Sequence, residues 1–157
     1  DITEEEFNTL LYLAQEYNLD PLKKEVQALK YSGRGATFII TRDGYLAIAN
    51  RNAEMNGFES EVIYEGDILS KRLDGSYSLV YGEHHMNFEK DKIKGAFCNV
   101  FRKDRACSTA VTVSFKDQYN SKNPSWQQYP IAMILKCAEA AGLKKAFGIA
   151  LPGEDNE

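Results

Sequence analysis

The sequence predicts an α+β fold. Helix signals stand near both ends of the chain, strand signals are grouped between them, and no internal repeat or low-complexity segment interrupts the pattern. At 157 residues, the chain is expected to be one domain over 1–157. It begins at Asp1 with no Met, so it reads as the trimmed core of something longer, with residues missing before it and a tail beyond Glu157.

Each element has a local cause. Thr3-Glu4-Glu5-Glu6 is a capping box, with acids suited to the positive end of a helix dipole. Phe7, Leu10, Leu11, Ala14 and Tyr17 follow at helical spacing, and Asn18-Leu19-Asp20-Pro21 stops the helix. Val26 to Tyr31 reads as a strand, Ser32-Gly33-Arg34-Gly35 as a turn and Thr37 to Ile40 as the return strand. Thr41 and Asp43 open a second helix carrying Tyr45, Ile48 and Ala49, which is expected to run to Asn56-Gly57. Phe58 to Tyr64 reads as a strand, and Leu69–Leu73 and Ser76–Tyr81 flank the hairpin signal Asp74-Gly75. Gly95–Phe101 and Cys107–Phe115 form another hairpin, with Cys107, Thr109, Val111 and Val113 on one face. A last helix is expected from Pro124, with Ser125 and Gln128 as its capping box, carrying Ile131, Ile134, Leu135, Ala138, Ala141 and Leu143.

Composition narrows the function classes. With 43% hydrophobic and 27% charged residues, the chain is neither disordered nor fibrous. Cys98, Cys107 and Cys137 are odd in number and form no CxxC, which argues against a disulfide framework or zinc ribbon and for a reducing, intracellular setting. No apolar run reaches the ~20 residues of a membrane span, and no signal peptide is visible. GxxxxGK[ST], GxSxG and HExxH are absent, and Gly33-Arg34-Gly35 reads as a turn rather than a nucleotide loop. His84 and His85 are adjacent on an expected strand, so they point to opposite faces and suit ordinary surface or core roles.

Charge is segregated along the chain. Residues 1–30 hold seven acids against three bases and residues 54–91 nine against three, whereas 99–147 hold eight bases against three acids. A basic segment in a chain of net charge −4 suits a polyanionic partner, with an ordinary solvated surface as the bland reading. Single strands also need flat rings for stacking. Phe101 and Phe147 suit the core; Tyr119 and Trp126 lie in the polar stretch Lys116–Gln128 and suit a groove, with core an equal alternative for Trp126.

Four segments, in order, resemble the RecT/Bet (Redβ-like) family of phage single-strand annealing proteins. The first is Phe7 to Pro21, followed by Lys24-Glu25-Val26; the second is Asp43-Gly44-Tyr45 with Ile48-Ala49. The third is Val100-Phe101-Arg102-Lys103-Asp104-Arg105, and the fourth is Trp126, Pro130, Met133, Lys136, Ala138 and Ala146-Phe147-Gly148. The resemblance implies antiparallel hairpins and sheet packed on helices, distantly like eukaryotic single-strand annealing proteins. It implies a non-enzyme that binds single-stranded DNA and anneals complementary strands in phage homologous recombination without ATP. Implied partners are single-stranded DNA, annealed duplex and further copies of the chain in a ring or helical filament. A phage exonuclease and a host single-strand-binding protein are further implied partners, through a segment outside this chain. Host cytoplasm, no membrane and no cofactor are implied; Mg²⁺ held by acids such as Asp67 and Glu83 has no support in the sequence.

On that reading Arg102, Lys103 and Arg105 form one wall of a DNA groove and Lys136, Lys144 and Lys145 the other. Tyr119 and Trp126 are ring candidates, Lys30, Arg34, Arg42 and Arg51 are cations of second rank, and Asp104 orients Arg105 or serves the turn. The segment Ile63–Lys94 is longer than its Redβ-like counterpart, and its extra strands, read as acidic, are expected to face away from DNA or meet a neighbouring subunit. Two other classes stay open: a metal-dependent nuclease using Asp67, Glu83 and a histidine, and a protein-interaction module with an acidic face.

Overall fold

The computed structural model describes residues 1–149. The elements run α1 (Glu4–Glu16), β1 (Val26–Leu29), β2 (Thr37–Ile40), α2 (Arg42–Arg51), β3 (Met55–Tyr64), β4 (Ile68–Lys71), β5 (Tyr77–Val80), β6 (Ile93–Arg102), β7 (Thr109–Ser114), α3 (Phe115–Gln118), α4 (Pro124–Gln128) and α5 (Pro130–Phe147). All strand pairs are antiparallel, in three sheets: β1-β2, β3-β6-β7 and β4-β5. The predicted α+β class is what the chain adopts.

The β3-β6-β7 sheet is covered on both faces, and strand alternation decides by what. Ala96, Cys98 and Val100 of β6 belong to the core that also holds Ile134, Ala138 and Leu143 of α5. The two elements approach closely because Gly142 has no side chain: a Cβ there would lie 3.0 Å from Cys98 Sγ and 3.1 Å from Val100 Cγ2. Phe97 and Asn99 point to the other face, where the β4-β5 hairpin lies as an arm. Tyr77 sets its ring 6.1 Å from that of Phe97. The Asn99 side chain replaces a missing strand partner: Tyr77 N–H donates to its Oδ1 at 2.8 Å, and its Nδ2 donates to Tyr77 O at 2.9 Å and to Glu59 Oε1 at 2.9 Å.

Four sequence expectations change. The second helix ends at Arg51, not at Asn56-Gly57. Asn52 turns the chain, with Met55 N–H donating to Asn52 O and Glu54 N–H to Asn52 Oδ1. Asn56-Gly57 instead forms a bulge inside β3, at a register shift between Met55 and Phe58, with Gly57 at φ +92°. The last helix is broken in two. Asn123, not Ser125, caps α4 by accepting from Ser125 N–H, and Pro130, which has no N–H to give, starts α5 afresh. The strand before the third hairpin tip reaches Arg102, and Phe115 begins α3 rather than ending β7. His84 and His85 sit in a turn rather than on a strand. His85 Nδ1 lies 3.0 Å from Asp67 Oδ2, and its ring stacks on Tyr81 at 3.6 Å between centroids.

Candidate nucleic-acid interface

An open groove of about 750 Å³ lies between the β1-β2 hairpin, the segment 117–126 and the first half of α5. Its charged lining consists of Lys24, Lys122 and Lys136 against Asp117. None of the three lysines has an ion-pair partner among the described residues. A smaller hollow shares Lys24 and Lys136 with it and extends to Arg42 and Asp43 at the start of α2. Local sequence builds these positions. Asp20 caps a 3-10 turn with Pro21 at its start, and that turn ends on Lys24 in the left-handed region at φ 58°. Lys136 is carried by α5, and Lys122 follows α3 in a polar loop.

The rings divide by exposure. Trp126 is 5% exposed, with its ring centroid 6.0 Å from those of both Phe115 and Tyr119. Of its two alternatives the structure selects the core, with the residue still reaching the groove lining. Tyr119 stacks on Phe115 at 5.2 Å and is part-exposed at the groove's side. Tyr31, 53% exposed, lines the groove as well and was not singled out from sequence.

The other predicted cations fall into different settings. The tip of the β6-β7 hairpin does meet the end of α5, because Arg102 Nη1 donates to Ala146 O at 2.9 Å and its guanidinium lies 5.0 Å from the Phe147 ring centre. Arg102 is also held in a two-point pair by Asp104, at 2.9 and 2.8 Å. Asp104 therefore orients Arg102, not Arg105, and the pair holds the Asp104 carboxyl below its usual range. Lys103, Arg105 and Lys145 are exposed and Lys144 part-exposed beside that latch. Lys136 stands eight residues before Lys144, roughly 12 Å along the helix at 1.5 Å per residue. The predicted walls are thus two clusters: Lys103, Arg105, Lys144 and Lys145 at the end of α5, and Lys136 in the groove with Lys24 and Lys122.

Three second-rank cations are engaged within the fold. Lys30 pairs with Glu6 at 2.7 Å. Arg42 pairs with Asp43 and with Glu139, both at 2.8 Å; Glu139 is 4% exposed and also accepts from Ser60 Oγ at 2.9 Å. Arg51 donates to the Tyr17 and Asn18 carbonyls, closing the C-terminus of α1 where no basic residue stands. Arg34 is exposed at the β1-β2 turn.

Much of the acidic excess is likewise spent internally. Glu59 pairs with Arg72, Glu65 with Lys92, and Tyr81 Oη donates to Glu61. Asp67 accepts from Tyr64 N–H, Gly82 N–H and His85, so both its oxygens are occupied. Among the described residues no group of three or more His, Cys, Asp or Glu side chains is placed to hold a metal ion, and no helix is long and apolar enough to cross a membrane. Cys98, Cys107 and Cys137 form no disulfide, and burial pushes the Cys98 thiol up to about 12.

The chain is 25% identical over 159 residues to recombination protein bet of Escherichia phage lambda, an alignment covering 96% of this chain and 50% of that protein. It spans about half the length of that relative. A model of the RecT family matches residues 1–154, nearly the whole sequence, and the chain therefore belongs to the RecT family.

Proposed function

We propose that this chain is the core of a phage recombination protein that binds single-stranded DNA and anneals complementary strands. The observation that carries the reading is the groove of about 750 Å³ with three unneutralised lysines, Lys24, Lys122 and Lys136, in a chain of net charge −4. Lysines in such a groove neutralise phosphates and so release the polyanion's condensed counterions into solution, and lysine as a point charge holds phosphate without reading bases. Amides and hydroxyls along the same lining, such as Gln27, Asn120 and Ser125, suit phosphate and sugar oxygens. One backbone held in this way keeps its base edges free for a second strand, and the cations offset the repulsion between two polyanions. Pairing itself is downhill, so the step needs neither ATP, metal nor a catalytic residue.

The cluster Lys103, Arg105, Lys144 and Lys145 is assigned to the same DNA beyond the groove, with Arg102 holding its two parts together. The chain assembles with further copies into a ring or filament along DNA. A phage exonuclease and a host single-strand-binding protein are met through parts of the protein outside this chain, in the cytoplasm of the bacterial host.

The test is equilibrium binding of a labelled oligodeoxythymidine across a salt series, followed by annealing of labelled complementary strands without ATP. Three phosphate contacts in the groove correspond to a slope of about −2 in log K against log salt. Lys24→Gln with Lys136→Gln is expected to weaken binding to every sequence alike and to flatten that slope by about 1.4. Unchanged binding by the folded double variant would sink the groove assignment.

A further inference from the structure

We infer that Lys90, at the base of the β4-β5 arm, is a fourth phosphate-binding residue of the groove, held in place by Tyr119. The inference rests on the groove being the DNA site.

Lys90 opens a one-turn 3-10 helix, Lys90–Lys92, just before β6. Its Nζ donates to Tyr119 Oη at 3.0 Å and lies 4.6 Å from the centre of the Tyr119 ring. Tyr119 belongs to the groove lining, so the ammonium is carried to the groove's side by an element remote in sequence. The neighbouring lysines differ. Lys92 is paired with Glu65 at 3.0 Å, and Lys94 is exposed. Lys90 has no carboxylate partner among the described residues, even with Glu89 and Asp91 on either side of it.

The chemistry follows from donor count. An ammonium has three N–H donors, and one is directed to the tyrosine hydroxyl. The ring face attracts the cation without neutralising it. Tyr119 is in turn backed by Phe115 and Trp126, so the platform under the charge is packed. A lysine already fixed at its tip loses less rotamer freedom on meeting a phosphate than a free one does. Lys90 therefore combines an intact charge, open donors and a preset position. The segment Ile63–Lys94, with six acids against five bases, thereby lends one cation to the DNA side.

The experiment measures oligodeoxythymidine binding across a salt series for Lys90→Gln, Lys90→Arg and Tyr119→Phe. Lys90→Gln is expected to bind about five- to tenfold more weakly at low salt and to make the slope less negative by about 0.7. Lys90→Arg is expected to keep the slope. Tyr119→Phe keeps the ring and the charge, so a smaller loss with the slope unchanged is expected. Trp126 emission, from a ring 6.0 Å from Tyr119, verifies that the platform is intact in each variant. Wild-type affinity and slope in Lys90→Gln overturn the inference. Weaker binding with an unchanged slope overturns it too, because a lysine that only braces Tyr119 releases no counterion. If Lys24→Gln with Lys136→Gln weakens binding while Lys90→Gln does not, this inference fails and the groove stands. If that pair leaves binding intact, the groove reading itself fails.

Discussion

Glu6 holds three segments together at once. Its Oε1 accepts from Thr3 N–H at 3.0 Å and from Lys30 Nζ at 2.7 Å, and its Oε2 accepts from Ala36 N–H at 2.6 Å. The capping box was legible in sequence because its members are three residues apart; the clasp on the β1-β2 hairpin was not, because Lys30 and Ala36 are far along the chain. Lys30 and these N–H donors lower the Glu6 carboxyl to about 2 from an ordinary 4.5. A depressed carboxyl stabilises the fold above its unfolded value, and this contribution is lost as pH falls from about 4.5 through about 2. The protection factor of the Ala36 amide, its exchange rate relative to the intrinsic rate at each pH, is expected to fall over that window, and Glu6→Gln to remove this pH dependence. Protection that stays flat with pH in the unaltered chain would contradict the clasp. Gly44 shows the same limit on legibility: the Asp43-Gly44-Tyr45 motif is readable, but its reason is spatial. A Cβ at Gly44 would lie 2.0 Å from Glu25 O, where β1 begins against α2.

At the level of elements, periodicity located the strands well and located the helix ends poorly. The β1-β2 and β4-β5 hairpins were readable from glycine turns and short apolar runs. The break between α4 and α5 was missed because Ser125 and Gln128 imitate a capping box while Asn123 does the capping. What the arm packs against was not readable either, since Asn99 looks like an ordinary strand residue. It is fully buried and makes three side-chain hydrogen bonds, two of them to the backbone of Tyr77. Asn99→Ala leaves the Tyr77 N–H and C=O unpaired in a covered site, a cost of about 1–3 kcal/mol. Faster hydrogen exchange confined to residues 68–80, with β3, β6 and β7 still protected, is the expected result. Uniform loosening of the whole sheet would show that the arm is not a separately anchored unit.

Across the whole molecule the decisive quantity is which charges are already matched. Nineteen basic residues are present, and the sequence alone ranks them only by neighbourhood. In the fold Lys30, Arg42, Arg72, Lys92 and Arg102 are paired with carboxylates, whereas Lys24, Lys122 and Lys136 converge unpaired on one groove. The cluster at the end of α5 can be tested apart from the groove. Lys103→Ala with Arg105→Ala is expected to leave thermal stability within about 0.5 kcal/mol of the parent, because both side chains are exposed. It is expected to weaken DNA binding without sequence preference, read by the same salt titration. Equal affinity in a folded double variant would restrict the DNA path to the groove.

The sequence by itself determined the α+β class, the hairpins, the basic segment and the RecT resemblance, because these rest on residues close together in the chain. Tertiary structure alone decided that Trp126 is core, that Arg102 is a latch, that Lys24, Lys122 and Lys136 line one groove, and that Lys90 reaches Tyr119. The physical reason is distance along the chain. A cation's availability depends on the carboxylate, carbonyl or ring it meets in space, and Arg42 meets Glu139, Arg102 meets Ala146 and Lys90 meets Tyr119 only after folding.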